Sequence, residues 1–354
     1  MARSSRLEND LRDRRARLGW TQHDLAVRSG LSRTGIGAIE ACRLVPSTTA
    51  ALALASALGC RVEDLFRVAT RSGPGGEEWA WPSPREAGRY WRAEVGGVVR
   101  RYPVEPSAIG MVPHDGAIEG GVARPRGQAD PSRTLVIATC DPAIAILAGE
   151  LERSSGVRLL ALGRSSGSAL QLLAAGLVHA AGLHLGLGDE AGGNPSATLE
   201  ATGRGGTLLR MARWDEGICA SPTLRLGSVR DALAGKRRWI GREPGSGARR
   251  CLDALLEGRE PPRHNAPDHR GVAQAVRSGW AEVGVCHRLA AEEAGLDFLE
   301  VRQEDHDLCF APGSEGDPRI RAVIEAVRAA SYRQAIGDLP GFGTSETGSM
   351  RTIG

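Results

Sequence analysis

This chain has no Cys-x-x-Cys pair, and its seven cysteines, at positions 42, 60, 140, 219, 251, 286 and 309, are an odd number. That argues against a disulfide framework and a zinc ribbon, and leaves most of them as small buried hydrophobes. Long hydrophobic runs are missing too, since the longest mostly apolar stretch, Ala50 to Leu58, falls far short of a membrane span. Met1-Ala2-Arg3-Ser4-Ser5-Arg6 lacks an apolar core before the first charged segment, so a cytoplasmic location is expected. There is no Gly-x-Ser-x-Gly elbow, no His-Glu-x-x-His and no Gly-x-x-x-x-Gly-Lys phosphate loop, and Gly186-Leu187-Gly188 is too little for a dinucleotide site. His179 with His184, and His264 with His269, stand five residues apart, which suits neither one helical face nor a zinc finger. No cofactor, no metal and no catalysis are expected.

What is present is 354 residues of ordinary globular composition, 41% hydrophobic, with room for two or three domains. The net charge of +3 hides an asymmetry. Residues 1–71 carry 12 Arg against 7 acids, and the remainder carries 33 basic and 35 acidic residues out of totals of 45 and 42. The positive excess sits at the amino-terminal end, so that end alone is expected to meet a polyanion.

That end contains a helix-turn-helix pattern between Thr21 and Glu40. Thr21 can cap a first helix whose inner stripe is Leu25 and Ala26, Gly30 can end it in the left-handed conformation, and Ser32 can cap a second helix with Ile36 and Ile39 on its apolar face. Leu31 bridges the two. The outer face of the second helix offers Ser32, Arg33, Thr34 and Gly37 to DNA, with Arg43 just beyond it; Arg33 has the best shape for a bidentate grip on guanine or phosphate. Gly35 and Gly37 each weaken that helix by about 1 kcal/mol relative to Ala. A segment with Leu7, Leu11 and Leu18 precedes the motif, and segments Ser47 to Leu58 and Val62 to Phe66 follow it, so an all-α five-helix unit is expected. From Leu7 to Val68 the arrangement resembles the XRE/Cro and phage-repressor family, and the resemblance implies that Gln22 contacts phosphate. The family usually has Gly where Cys42 stands. One recognition helix reads only a few base pairs, so a homodimer on a double-stranded operator is expected.

Domain 1–70 is followed by a flexible linker at 71–78 and a small β-rich connector at 79–133, where Arg89-Tyr90-Trp91 and His114-Asp115 read as packing and turn residues. From 134 to 348 strands alternate with helices, the signature of a sheet covered by helices in two α/β lobes, with the last strand and helix returning to the first lobe. Ligands in such sheets bind beyond the strand carboxyl ends, at helix N-termini. Three junctions qualify: Thr139-Cys140-Asp141-Pro142, Arg164-Ser165-Ser166-Gly167-Ser168, and Arg242 to Arg249. A ligand held by all three would keep the lobes closed, whereas Asp141 is best read as a helix cap.

Gly176 to Leu185, Arg242 to Arg249, Val272 to Gly284 and Gly295 to Phe298 resemble the periplasmic-binding-protein-like domain found fused to helix-turn-helix regulators and similar to molybdate- and tungstate-binding proteins. The resemblance implies a hinged, non-catalytic domain that senses a small molecule, with Ser165, Ser166, Ser246, Gly247 and Arg249 lining the cleft. Thr139, Cys140 and His184 complete the candidate set. The effector stays open between an oxyanion and a small organic acid. The multidomain reading is a ligand-responsive regulator of transcription without a membrane partner; an enzyme of molybdenum-cofactor metabolism, or a thiol sensor using Cys140 or Cys42, are the alternatives.

Overall fold

The computed structural model describes residues 7–41, 43–68, 77–81, 88–127, 129–188 and 191–354. The chain divides into two compact units, Met1–Pro82 and Ser83–Gly354. The expected linker at 71–78 and the turn at Cys42 lie almost wholly outside the described residues.

Among its described residues the first unit holds four α-helices, α1 (Leu11–Arg17), α2 (Gln22–Ser29), α3 (Arg33–Glu40) and α4 (Thr48–Leu58), and one 3-10 turn at Val62–Asp64. Leu7 belongs to no helix: β1 (Leu7–Asn9) pairs antiparallel with β2 (Phe66–Val68), so the ends of the unit are tied by a two-stranded sheet where a longer first helix and a fifth helix were expected. Leu11, Leu25, Ile36, Ile39, Leu54 and Leu65 form its core. A two-residue strand, β3 (Glu78–Trp79), lies near the end of this unit.

The second unit begins with an antiparallel sheet of β4 (Gly88–Val95), β5 (Val98–Pro103), β6 (Gly116–Glu119) and β7 (Val122–Pro125), in the order β5-β4-β6-β7. This sheet, the expected connector, is braced onto the first α/β lobe. Asp115 takes both terminal nitrogens of Arg158, at 2.8 and 2.7 Å, and Tyr102 Oη donates to the Leu177 carbonyl at 2.8 Å. Tyr90 and Trp91 are buried as packing residues.

Then come β8 (Thr134–Thr139), α5 (Ile144–Ser155), β9 (Arg158–Gly163), α6 (Ser166–Ala174), β10 (Ala180–Leu183) and α7 (Asn194–Thr202), followed by the 15-residue β11 (Gly206–Ala220). A second set comprises α8 (Val229–Leu233), β12 (Trp239–Arg242), α9 (Gly247–Leu256), β13 (Asn265–Ala266), α10 (His269–Arg277), β14 (Val283–His287) and α11 (Arg288–Glu293). The chain returns through β15 (Asp297–Phe310), α12 (Pro318–Arg328), α13 (Ala330–Gly337), β16 (Phe342–Gly343) and β17 (Met350–Ile353). The strand order is β13-β12-β14-β11-β15-β10-β8-β9, parallel within each lobe and antiparallel at β11 and β15.

β11 and β15 pair along nearly their whole length and pass from one lobe to the other. The early part of β11 (Leu209, Met211) and the late part of β15 (Leu308, Phe310) pack with Leu135, Leu147 and Val323 in the first lobe. Their opposite ends, Ile218 and Leu299, pack with Leu252 and Val285 in the second. β17 pairs with β11, so the ligand-domain sheet extends past the expected end at 348. Helices α12 and α13 supply Ile320, Val323 and Ile336 to the first-lobe core, the expected return.

His179 joins the small sheet to the first lobe: Val136 N–H donates to its Nδ1 at 2.9 Å, and its Nε2 lies 2.9 Å from the Glu94 carbonyl. Burial, helped by the Arg319 charge, lowers its pKa from 6.5 to about 4. A protonated ring cannot accept the Val136 bond, so the unfolded chain takes up the proton first as pH falls. Stability from this group should be complete above 6.5 and decline towards 4, by up to about 1.4 kcal/mol per pH unit. Denaturant unfolding at about pH 7 and about pH 5 should show the loss, and His179→Gln should make it smaller; an unchanged pH dependence in that variant would refute the assignment.

Candidate functional site

The recognition surface of the first unit is set by local capping. Thr21 Oγ1 accepts from Asp24 N–H while the Asp24 carboxylate accepts from Thr21 N–H, Gly30 ends α2 with φ of 70°, and Ser32 Oγ accepts from Gly35 N–H. These caps hold α3 continuous through Gly35 and Gly37. Ser32, Arg33, Thr34 and Arg43 are exposed. Gln22 lies over Gly37, and its Nε2 donates to Glu40 Oε2 at 2.8 Å. Glu40 is gripped at its other side by Arg15, at 2.6 and 3.2 Å. Burial opposes the Glu40 charge, yet Arg15 and Gln22 hold its pKa below the ordinary carboxylate value. The Arg15-Glu40-Gln22 chain thus fixes the amide that opens α2.

In the second unit the three strand-to-helix junctions meet between the lobes. Gly167 N–H at the start of α6 donates to the Gly245 carbonyl before α9, at 3.1 Å. Gly247 rests on His184, where a Cβ would overlap the His184 carbonyl oxygen and ring. A groove of about 490 Å³ opens beside this contact, lined by Gly167, Leu170, Leu185, Gly245 and Arg250 among others.

Several expected cleft residues are spent on local structure. Thr139 Oγ1 accepts from Asp141 N–H and packs on Gly182; Asp141 Oδ1 accepts from Ala143 N–H in the turn that leads into α5, whose N-cap is Ala143 and not Asp141 as expected. Ser165 Oγ donates to Ser168 Oγ, Ser166 Oγ accepts from His184 N–H, and Ser246 Oγ caps α9 by accepting from Arg249 N–H. Arg249 is directed to Asp253 at 2.8 Å, and Arg164 to Glu105 at 2.7 Å. Cys140 and His184 are brought together in the interior, with Sγ 3.1 Å from Nε2.

Around them lies a buried cluster that includes residues without a sequence motif to mark them. Trp214 of β11 is ringed by His184, His269, His287 and His306, with centroids 4.9, 5.8, 4.6 and 4.4 Å away, and His306 is stacked on it. All five rings are at most 3% exposed. Glu216 and Glu304, from the midpoints of β11 and β15, and Arg242, from the end of β12, are buried beside them.

The protonation pattern is dictated by the backbone. His287 N–H donates to His269 Nδ1 at 3.2 Å, and Leu289 N–H donates to His287 Nδ1 at 2.9 Å. Burial, followed by the charge of His184, pushes both pKa values well below the usual histidine value, so both rings are neutral with the hydrogen on Nε2. His287 Nε2, Trp214 Nε1 and Arg242 Nη1 are buried donors without a hydrogen-bond partner. Burial and the neighbouring Glu304 raise the Glu216 pKa to about 8, which makes its side chain a neutral acid with both oxygens free of hydrogen bonds. His184 is the cationic ring: burial opposes its charge, but Cys140 and Glu304 raise its pKa well above the usual value.

Cys140, His184 and His269, and likewise His184, Glu216 and Glu304, approach closely enough to suggest a metal. The donor chemistry disagrees. His269 Nε2 carries a hydrogen, and His184 Nδ1 is engaged at 2.8 Å by Glu304, which Arg302 also holds. Neither group presents three free lone-pair donors of the kind a zinc site needs. Beside the two free oxygens of Glu216, N–H groups of Arg242, His287 and Trp214 are left without partners, and such donors suit an anion.

Comparisons with known proteins match parts of both units. The PBP superfamily domain family matches residues 148–328, and the helix-turn-helix family matches residues 11–65. A Bacillus subtilis (strain 168) protein, uncharacterized protein YvgK, is 32% identical over 120 residues; the match covers 32% of this chain and 38% of that protein's length. Among solved structures, a putative phosphate ABC transporter substrate-binding protein from Clostridium perfringens is 8% identical, covering 59% of this chain and 99% of that one with a TM-score of 0.47. The tungstate ABC transporter structure from Geobacter sulfurreducens is 15% identical, covering 58% and 98% with a TM-score of 0.45.

Gly247→Ala tests the closed geometry directly. The added methyl should hold the lobes apart, raising the radius of gyration in small-angle scattering with the helix content by circular dichroism unchanged. A variant as compact as the parent would show that the Gly247-His184 approach is not required for closure.

Proposed function

The chain belongs to the PBP superfamily and carries an amino-terminal helix-turn-helix domain, and from that premise we propose that it is a ligand-responsive, DNA-binding regulator of transcription whose effector is a small oxyanion. The observation that carries the effector reading is the set of buried donors between the lobes, Arg242 Nη1, His287 Nε2 and Trp214 Nε1, with His269 Nε2 adjacent. An oxyanion presents acceptors on every side and is small enough to be enclosed by such a set. A carboxylate presents only two oxygens on one side, which favours the oxyanion of the two classes left open by the sequence.

The expected hydroxyl donors, Ser165, Ser166 and Ser246, support this site by shaping the junctions; Arg242 takes the part first given to Arg249. In this reading the protein binds and does not turn over its ligand, acts as a homodimer on a double-stranded operator, and works in the cytoplasm where that DNA is. Among the described residues no helix is long and apolar enough to cross a membrane. The effector acts by preferring one lobe arrangement, because equal affinity for both would shift nothing.

Two measurements test the two halves. In a thermal-shift series of molybdate, tungstate, phosphate and small carboxylates, one tetrahedral oxyanion should stabilise the protein, by about 2.7 kcal/mol at a hundredfold excess over its Kd. Arg242→Ala should remove that stabilisation; a carboxylate as the strongest hit would overturn the oxyanion assignment. Arg33→Ala should cost about 1–3 kcal/mol on the specific operator and relax sequence preference. Equal losses on random DNA would make Arg33 a phosphate contact only, and no DNA affinity in the parent protein at low salt would refute the regulator reading.

A further inference from the structure

Cys140 stands just beyond the carboxyl end of β8, and its sulfur is 3.1 Å from Nε2 of His184, which follows β10. The opposite ring nitrogen, Nδ1, is 2.8 Å from Oε2 of Glu304 on β15. Sulfur, imidazole and carboxylate therefore form a continuous chain contributed by three strands. Glu304 and His184 are at most 1% exposed and Cys140 is 8% exposed, so Cys140 is the residue of the three with a residual opening to solvent.

The other titratable and charged groups facing the sulfur are His269 of α10, with Nε2 at 3.9 Å, and Arg242 at the end of β12, whose charge acts on Cys140 and whose Nη1 is unpartnered. Both are donors, able to stabilise negative charge developing at the sulfur or on a leaving oxygen. The remaining buried cysteines have other surroundings. Burial raises the Cys309 thiol to about 12 beside Thr198, burial raises Cys251 further, and Cys286 is raised by its contact with Cys219 and by burial.

We propose that Cys140 is a reactive thiol, a modification site for hydroperoxides, with His184 as its proton partner and Glu304 as the positioning residue that orients the imidazole. The sulfur, its proton held at His184 Nε2, attacks one peroxide oxygen. The S–O bond forms and the O–O bond breaks, sulfur is oxidised to the sulfenic acid, and the oxygen that leaves is reduced. That oxygen takes the proton from His184 and departs as water or an alcohol. The added oxygen has to fit beside His184 and His269, so the modified side chain perturbs the same interior that closes the lobes. The inference rests on the sulfur's neighbours alone and needs neither the effector nor DNA.

The test uses the full chain and hydrogen peroxide, with dimedone to trap sulfenic acid and peptide mass spectrometry to read each cysteine. The Cys140 adduct should form faster than those of Cys219, Cys251, Cys286 and Cys309, and should vanish in Cys140→Ser. His184→Ala should slow it by about tenfold or more, and free imidazole, entering the vacated ring space, should restore part of the rate. Glu304→Gln should also slow it, with Glu304→Asp recovering most of the loss, a pattern that a purely structural role would not produce. If His184→Ala does not fold, the Glu304 pair decides. Labelling of Cys140 no faster than the other buried cysteines, or a rate indifferent to both His184 and Glu304, would overturn the proposal.

Discussion

Carrying charge through the centre of a buried sheet is the constraint that dictates the architecture of the second unit. β11 and β15 are apolar at their ends and polar at their midpoints, where Asp215, Glu216, Glu304, Asp305, His306 and Asp307 are all buried. A buried ion left unpaired costs several kcal/mol, so most of them are met. Arg302 and His184 meet Glu304, Arg210 meets Asp305 and Asp307, and Asn194 donates to Asp307 from α7. Arg302 and Arg210 come from the hinge strands themselves, and His184 and Asn194 tie those strands to the first lobe. Glycine at 167, 245 and 247 is the corresponding steric requirement, since the junction backbones touch.

The same interior is satisfied unevenly. Glu304 is saturated and Glu216 is not, and donors around Trp214 are left over. The backbone N–H groups of His287 and Leu289 lock the tautomers of His269 and His287, so the leftover donors are fixed in direction before anything binds. Preorganised donors in a dry site stabilise incoming negative charge without reorganisation. The sulfur of Cys140 lies in the same field, 3.1 Å from His184 Nε2, so the proposed anion site and the proposed reactive sulfur are compatible neighbours.

Legibility in the sequence tracked the range of the interactions. The helix-turn-helix was readable because Thr21, Gly30 and Ser32 act on backbone groups within a few residues of themselves. The first-lobe strands and helices were readable for the same reason, and Thr134–Thr139 and Ser166–Ala174 fall close to where periodicity puts them. Leu7 to Asn9 form a strand in place of the expected helix because their pairing partner lies about sixty residues on, at Phe66–Val68. β11 was not legible, and β15 read as two short strands, because the polar midpoints that build the site also break apolar alternation, and β11 is bulged between Arg210 and Ala212 and between Glu216 and Gly217. A charged run flanked on both sides by apolar strand residues was the available signal. The serines at the junctions carry local hydrogen bonds in this structure, and because a helix cap and a ligand donor have the same chemistry the sequence alone does not separate the two roles. His184 and His269 stood out for the wrong spacing, each beside a near neighbour in sequence, whereas the fold pairs them with each other at a centroid distance of 5.1 Å.

The leftover donors also set the scale on which a bound anion can act. The backbone hydrogen bond between facing junctions, Gly167 to Gly245, contributes about 0.5–1.5 kcal/mol net. A buried donor without a partner costs about 1–3 kcal/mol, so His287 Nε2, Trp214 Nε1 and Arg242 Nη1 together disfavour the empty closed arrangement by roughly 3–9 kcal/mol. Moving a two-state equilibrium from 1:99 to 99:1 requires a difference of about 5.5 kcal/mol, which falls inside that range. An anion that meets all three donors in the closed form alone therefore has enough differential energy to work as a switch. One that meets a single donor does not, and in the proposed reading effector selectivity follows the number of acceptors the ligand can present at once.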